Sequence, residues 1–123
     1  MVEAFVLSEG RIRLEIAPFW LGEDLCVHVT GGDAPHIGAV SLSVARASLR
    51  GDGNPAASTS NLTLTGHKDD VIAREFSEQL AIKLCKNTVV ICGIHVHNIT
   101  DHEIQAIHRL AKDAILRIVR EAS

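Results

Sequence analysis

The sequence has 123 residues, a formal net charge of −3, and a composition that is 46% hydrophobic but only 3% aromatic. This composition argues against a disordered chain, and the weak charge and scarce aromatics argue against nucleic-acid or anionic-membrane binding. The sequence also lacks the run of roughly 18 apolar residues that a membrane span needs. We therefore predict a single domain over residues 1–123.

Three cysteines, Cys26, Cys85 and Cys92, lie in mostly apolar surroundings and lack a CxxC spacing. This pattern is typical of free thiols in a reducing compartment, and we predict that all three are buried. The N-terminus has neither the basic region nor the apolar run of a signal peptide. We therefore expect a cytoplasmic protein that does not associate with membranes.

Five predicted strands come first in the chain. Residues 11–17 alternate apolar and polar side chains, which is typical of a half-buried strand, and Pro18 is predicted to end it. Small residues in the segment 37–46 favour close packing of a helix over a cavity, and Leu62 and Leu64 are predicted to point inward. The predicted strands cover residues 3–8, 11–17, 24–30, 37–46 and 60–65, with a loop at 50–58.

Two predicted helices lie on either side of the last strand in the chain. The first, from about residue 68 to residue 85, has apolar residues at intervals of four and acidic residues in its first turn. The apolar run 88–94 predicts a central strand covered on both faces. Thr100 and Glu103 form a capping box before the helix 101–121.

The order β-β-β-β-β-α-β-α predicts an α+β fold. We expect a mostly antiparallel sheet of about six strands, with the two helices packed on it. Because the last strand follows a helix, it has the connection that a parallel neighbour requires.

One corner with candidate functional residues is Gly66-His67-Lys68, directly before the first predicted helix. The N-terminal amides and the dipole of a helix favour an anion at such a corner. Lys68 adds positive charge and His67 can donate a hydrogen bond, so the corner fits a phosphate or a carboxylate. The sequence lacks the glycine-rich patterns of nucleoside triphosphate and dinucleotide sites.

A second corner carries His95 and His97 after Gly93. On an extended strand two such histidines share a face, roughly 6–7 Å apart at Cα. This is a metal-ligand spacing if a third ligand such as His36 or His67 is close. The residues alone leave open a small metal-dependent enzyme, structural histidines, or an assembly chaperone without a small-molecule ligand. The sequence contains no nucleophile elbow.

Three segments resemble a family of small bacterial proteins associated with UbiD-like hydroxyarylic acid decarboxylases. These proteins are described as the D subunit of such systems or as prenylated-flavin chaperones. The matching motifs are Pro-His-Ile-Gly at 35–38, Gly-His-Lys-Asp at 66–69 and Gly-Ile-His at 93–95, in the same order and at similar spacing. One departure is His97, because the family pattern has an acidic residue at that position.

The resemblance implies a non-catalytic accessory protein that binds prenylated FMN, or FMN itself, and delivers it to an apo-decarboxylase. It also implies a homodimer with a fold similar to that of the proteasome assembly chaperones. Carried over residue by residue, it implies a cofactor site without metal ligands, formed by His36, His67, Lys68, Asp69 and His95.

Overall fold

The computed structural model describes residues 2–64 and 69–122. These residues form six strands and two helices in the predicted order, so the predicted α+β class is confirmed. The strands are β1 (Phe5–Glu9), β2 (Ile12–Leu21), β3 (Asp24–Gly32), β4 (Ala39–Ala47), β5 (Pro55–Thr63) and β6 (Thr88–His95). The helices are α1 (Asp69–Leu84) and α2 (Asp101–Ala122).

All six strands belong to one sheet, in the order β1-β2-β3-β6-β4-β5. β6 pairs parallel with β3 and antiparallel with β4, and the other neighbours are antiparallel. The parallel pair places the C-terminal ends of β3 and β6 side by side, with Gly32 opposite His95. The expectation of a parallel neighbour for the last strand is therefore confirmed.

Both helices pack on the same face of the sheet. α1 contacts β4, β5 and β6, α2 contacts β1 and β2, and the two helices contact each other. Between the helices and the sheet, Ile16, Val27 and Val90 of the strands and Phe76 of α1 are completely buried in one hydrophobic core. Val89 and Ile91 of β6 point to the other face and stay partly exposed, so the helices cover only one side of this central strand.

The small residues of β4 allow α1 to pack closely, as predicted. Ser41 and Ser43 are buried, and their Oγ atoms lie 2.7 and 2.8 Å from Ser77 Oγ of α1. This hydrogen bonding satisfies hydroxyl groups that would otherwise be buried without partners. Neither helix of the described chain is long and apolar enough to cross a membrane.

β2 continues past Pro18 to Leu21, so the prediction that Pro18 ends the strand was wrong. The described pairing of β1 with β2 reaches only Phe5↔Ile16, whereas β3 still pairs beside Pro18. A proline is tolerated at such a position because its missing amide lies on the side where the neighbouring strand has stopped.

β5 begins at Pro55, earlier than predicted. The prediction that Leu62 and Leu64 point inward was wrong. Leu62 is 70% exposed and Leu64 is 65% exposed. Leu62 pairs with Val40, and both residues lie on the face opposite the helices. The alternation in the sequence correctly separated the side chains of the two sheet faces, but it did not identify which face the helices cover.

Two of the three cysteines are buried as predicted, Cys26 and Cys92, but Cys85 is exposed. Cys85 directly follows α1 and has a φ of 55°, the left-handed conformation that often ends a helix. Burial raises the pKa of both buried thiols, and at Cys92 the neighbouring Asp69 carboxylate adds to the effect.

Candidate functional site

Three chain segments meet at the C-terminal end of β6. They are the loop 33–38, the end of β6 and the first turn of α1. The Gly38 amide donates to the Cys92 carbonyl at 2.9 Å, which fixes the loop beside β6. This arrangement brings together the described parts of the three motifs that carry the family resemblance.

Asp69, the first residue of α1, is the point where the three segments contact one another. It is only 4% exposed. Its Oδ1 accepts a 3.0 Å hydrogen bond from the Ile94 amide, and its Oδ2 lies 3.3 Å from His36 Nε2. A carboxylate in the first helical turn also complements the helix dipole. Asp69 therefore connects α1 with both β6 and the loop.

His36 is held on both sides of its ring. Its Nδ1 lies 2.8 Å from the Ala34 carbonyl oxygen, and its Nε2 faces the Asp69 carboxylate. The ring is nevertheless about one third exposed, at 36%. His36 is therefore oriented by the protein and remains accessible to a ligand.

Two glycines allow these close contacts. A Cβ at Gly38 would overlap the Asp69 carboxylate and lie 2.6 Å from its Cγ. A Cβ at Gly93 would overlap the His36 carbonyl group and lie 3.1 Å from the His36 amide nitrogen. The glycines of two of the motifs thus provide the space in which His36 and Asp69 approach β6.

Asp33 fixes the backbone around the second histidine corner. Its amide donates to the His95 carbonyl at 2.6 Å, and its Oδ2 accepts from the His97 amide at 2.8 Å. β6 ends at His95, so His97 does not continue the strand in the way that a shared-face metal pair requires. Both imidazoles are exposed to solvent.

Arg11 supports the same corner from the turn between β1 and β2. It donates to the His97 carbonyl at 2.8 Å and forms an ion pair with Glu103, with Nε and Oε2 2.5 Å apart. The predicted capping box is confirmed, since the Thr100 amide donates to Glu103 Oε1 and the Glu103 amide to Thr100 Oγ1. The pKa of Glu103 is lowered to about 2, mainly by the hydrogen bond from Arg11 and secondly by the hydrogen bond from the Thr100 amide.

The structure thus places three of the five predicted site residues at one end of the sheet. His36 and Asp69 contact each other, and His95 directly follows Ile94, whose amide binds Asp69. His67 and Lys68 lie outside the described residues. Among residues 2–64 and 69–122, no group of three or more His, Cys, Asp and Glu residues is arranged to hold a metal ion.

Sequence reasoning missed the supporting roles of Asp33, Arg11 and the two glycines. Asp33 is the first residue of the loop that carries His36, and no motif in the sequence indicated that it binds the backbone at His95 and His97. The alternation in residues 11–17 placed Arg11 among the polar side chains. Alternation does not show that such a side chain reaches another part of the chain. The glycines beside His36 and His95 were the available signal for a close backbone approach.

The family model for the prenylated flavin chaperone LpdD-like domain matches residues 8–123. The chain belongs to this family. Protein LpdD of Lactiplantibacillus plantarum is 29% identical over 115 residues, which cover 94% of this chain and 81% of LpdD. The family predicted from the three motifs is confirmed, and the family match includes every segment of the site.

Proposed function

We propose that this protein binds prenylated FMN where the loop 33–38, β6 and α1 meet, and that it delivers the cofactor to a UbiD-like decarboxylase. Membership of the prenylated flavin chaperone family carries this proposal. In it the protein is an accessory factor, and the decarboxylase performs the chemistry on the substrate.

The proposed contacts to the cofactor are His36, His67, Lys68 and His95. The imidazoles of His67 and His95 and the lysine ammonium are suitable donors to phosphate and to flavin carbonyl oxygens, and hydrogen bonds to a charged phosphate are strong. Both ring nitrogens of His36 face acceptors of the protein, so His36 would contact the flavin through its exposed ring edge. His67 and Lys68 directly precede α1 in the chain, and the N-terminal end of a helix favours an anion.

The buried carboxylate of Asp69 is compatible with an anionic ligand nearby. Its two oxygens face the Ile94 amide and the His36 ring, so both point toward groups of the protein. The donor set at this end of the sheet therefore suits the phosphate of a flavin mononucleotide, and FMN itself is a second candidate ligand.

An anaerobic titration of the purified protein with prenylated FMN and with FMN, followed by flavin absorbance, tests the binding. We expect tighter binding of the prenylated form. His95→Ala, His67→Ala and Lys68→Ala should each weaken it about 10- to 100-fold, since a hydrogen bond to a charged group contributes about 1.5–3 kcal/mol.

Residues of α2 outside the site provide matched controls for these variants. His108 and Lys112 lie on the helical side of the molecule, where His108 Nδ1 is 3.7 Å from Glu75 Oε2 of α1. His108→Ala and Lys112→Ala should bind prenylated FMN as the wild type does. Equal affinity in the site variants and the controls would contradict the proposed site.

Delivery is tested separately from binding. A UbiD-like apo-decarboxylase is mixed with prenylated FMN that is either free or bound to this protein, at equal cofactor concentrations and in air. We expect more decarboxylase activity from the bound cofactor. Activity that is the same or lower with the protein would support storage of the cofactor without delivery.

We also propose that the protein is a homodimer in which the sheet face opposite the helices covers the same face of a second copy. The strand register aligns Leu42, Val89, Cys26 and Phe19 in one row across this face. A neighbouring row contains Leu62, Val40 and Ile91. Phe19, Leu42 and Leu62 are 40%, 41% and 70% exposed.

The size and pattern of this face favour a second copy as its partner. β3, β4 and β5 are nine residues long, so the six-stranded sheet offers roughly 800 Å², close to what each partner of a standard interface buries. Arg13 and Glu15, an ion pair on the same face of β2, lie beside the apolar rows. An apolar centre with a charged margin is typical of protein interfaces.

Sedimentation equilibrium across a concentration series tests the dimer. We expect the wild type to be dimeric and Leu42→Glu to be monomeric. Leu116→Glu is the matched control, because Leu116 is also an exposed leucine, at 55%, but lies on α2. A monomeric wild type, or equal dissociation of the two variants, would contradict this interface.

A further inference from the structure

The three motif segments are joined by one side chain, that of Asp69. Its carboxylate is buried, and both of its oxygens face groups of this protein, namely the Ile94 amide and the His36 ring. An ionised carboxylate has about four acceptor positions, but at 4% exposure little of the Asp69 surface is open to a ligand. Its position therefore indicates a role that acts through its partners.

The contact between Asp69 and His36 determines the direction of the imidazole ring. A neutral imidazole has a single N–H group, but His36 faces two acceptors, the Ala34 carbonyl and the Asp69 carboxylate. The contacts at the two ring nitrogens fix the orientation of the ring. The exposed edge of the ring is thereby presented in one direction.

The packing around Asp69 leaves few alternative positions for the loop. Gly38 approaches the carboxylate and Gly93 approaches the His36 backbone so closely that a Cβ at either glycine would overlap its neighbour. The Gly38 amide further binds the Cys92 carbonyl. Without Asp69, the loop would keep its backbone link to β6 but lose the contact that orients its histidine.

We propose that Asp69 is a positioning residue of the cofactor site: it fixes His36 and the end of β6 in the geometry that receives the flavin, without contacting the flavin itself. This inference rests on the proposed function for its ligand. It gives Asp69 a different task from that of His95, whose exposed imidazole would donate to the cofactor, and from that of His36, which would contact the flavin through the exposed edge of its ring.

A double-mutant cycle with prenylated FMN as the probe tests the inference. If Asp69 acts through His36, Asp69→Ala and His36→Ala should each weaken binding about 10-fold or more, and the double variant should bind no more weakly than the weaker single variant. Losses in Asp69→Ala and His36→Ala that multiply in the double variant would overturn the inference.

The variant Asp69→Asn provides a conservative rescue. Its amide oxygen can still accept from the Ile94 amide, and its NH₂ group can donate to Nε2 of a neutral His36. We expect its affinity to stay within about threefold of the wild type. An affinity as low as that of Asp69→Ala would overturn the positioning role. Asp113→Ala, at an exposed position of α2 outside the three segments of the site, is the control and should leave binding unchanged.

A measurement without ligand separates this inference from the proposed function. Amide hydrogen exchange at Ile94, followed by NMR, should be faster in Asp69→Ala than in the wild type and unchanged in Asp69→Asn. Wild-type protection of Ile94 in Asp69→Ala would overturn the inference even if the flavin binds. Failure of the wild type to bind prenylated FMN, combined with faster exchange in Asp69→Ala, would instead contradict the proposed function and leave Asp69 as the organiser of a site for another ligand.

Discussion

The two faces of the sheet are made by alternate residues of the same strands, yet they differ sharply. On the face beneath the helices, Ile16, Val27 and Val90 are completely buried. On the opposite face, Phe19 and Leu42 keep about two fifths of their surface exposed. The difference follows from the position of the helices, which lie on one side only. The apolar character of the exposed face therefore has to be explained by something other than the fold of the single chain.

The faces also differ at the end where the site lies. Gly93 occupies a position of the helix-free face but is buried, because the backbone of His36 lies against it. The loop 33–38 thus covers one end of this face. The proposed cofactor site and the proposed dimer surface are consequently neighbours on the same sheet.

The largest expected effect comes from truncating the core under the helices. Phe76→Ala should reduce the free energy of unfolding by about 3–5 kcal/mol, because the ring is completely buried and its removal leaves a cavity. The measurement is urea unfolding followed by circular dichroism.

Phe19→Ala is the matched variant on the other face. Because Phe19 is 40% exposed, its truncation should change the unfolding free energy of the monomer by less than about 1 kcal/mol. A loss comparable to that of Phe76→Ala would contradict the contrast between the faces. To isolate the monomer, both variants are compared in the Leu42→Glu background.

Much of the sheet could be predicted from the sequence because its signals are local. The alternation in β2 identified Ile12, Leu14 and Ile16 as buried, and the capping pair Thr100 and Glu103 located the start of α2. Such signals depend on neighbouring residues, so they need no knowledge of the tertiary structure.

The errors occurred where distant parts of the chain decide the outcome. Leu62 was assigned to the wrong face because alternation does not reveal which side the helices occupy. Pro18 remains in β2 because β1 stops before reaching it, a fact of sheet pairing. The contact between His36 and Asp69 joins residues 33 positions apart, and only the fold brings them together.

A methyl group at Gly93 tests the buried end of the helix-free face. Gly93→Ala should destabilise the protein by about 1–3 kcal/mol, since the added Cβ would overlap the His36 backbone and force the loop away from β6. It should also weaken prenylated FMN binding. Thermal unfolding and flavin titration check the two effects.

Gly53→Ala is the control for this prediction. Nothing lies within 4 Å of a Cβ at Gly53, but its φ of 77° makes the substitution strained for backbone reasons alone. Flavin binding should therefore be weakened in Gly93→Ala and kept in Gly53→Ala. Retained binding in Gly93→Ala would show that the loop can shift without affecting the site.

The hydroxyl groups under α1 provide a smaller test of the covered face. Ser77→Ala should cost about 1–2 kcal/mol, because it removes the hydrogen-bonding partner of the buried Ser41. Ser58→Ala, at an exposed position of β5, should change stability by less than about 0.5 kcal/mol. Urea unfolding compares the two variants, and an equal cost would mean that the buried hydroxyl cluster contributes no more than an exposed serine.

The smallest expected effect lies at the margin of the sheet, where Arg11 binds Glu103. The hydrogen bond from Arg11, together with the smaller contribution of the Thr100 amide, lowers the pKa of Glu103 from its ordinary value of 4.5 to about 2. A carboxyl group whose pKa is depressed in the folded protein stabilises the fold above its unfolded pKa, and this contribution decreases as the pH falls toward the folded pKa. The stability advantage of the wild type over Glu103→Gln should therefore be constant above about pH 5 and decrease between pH 4.5 and pH 2.

Thermal unfolding of both proteins at a series of pH values measures this difference. Lys112→Gln on the exposed side of α2 is a control that changes one charge without removing an ion pair of the described chain. A stability difference between the wild type and Glu103→Gln that does not change with pH would mean that Glu103 acts through the hydrogen bonds of the capping box, and not through its charge. If the stability difference between the wild type and Glu103→Gln disappears on acidification, and Arg11→Ala abolishes this pH dependence, then the ionised pair of Arg11 and Glu103 holds the His95 corner against α2. This contact lies outside both faces of the sheet.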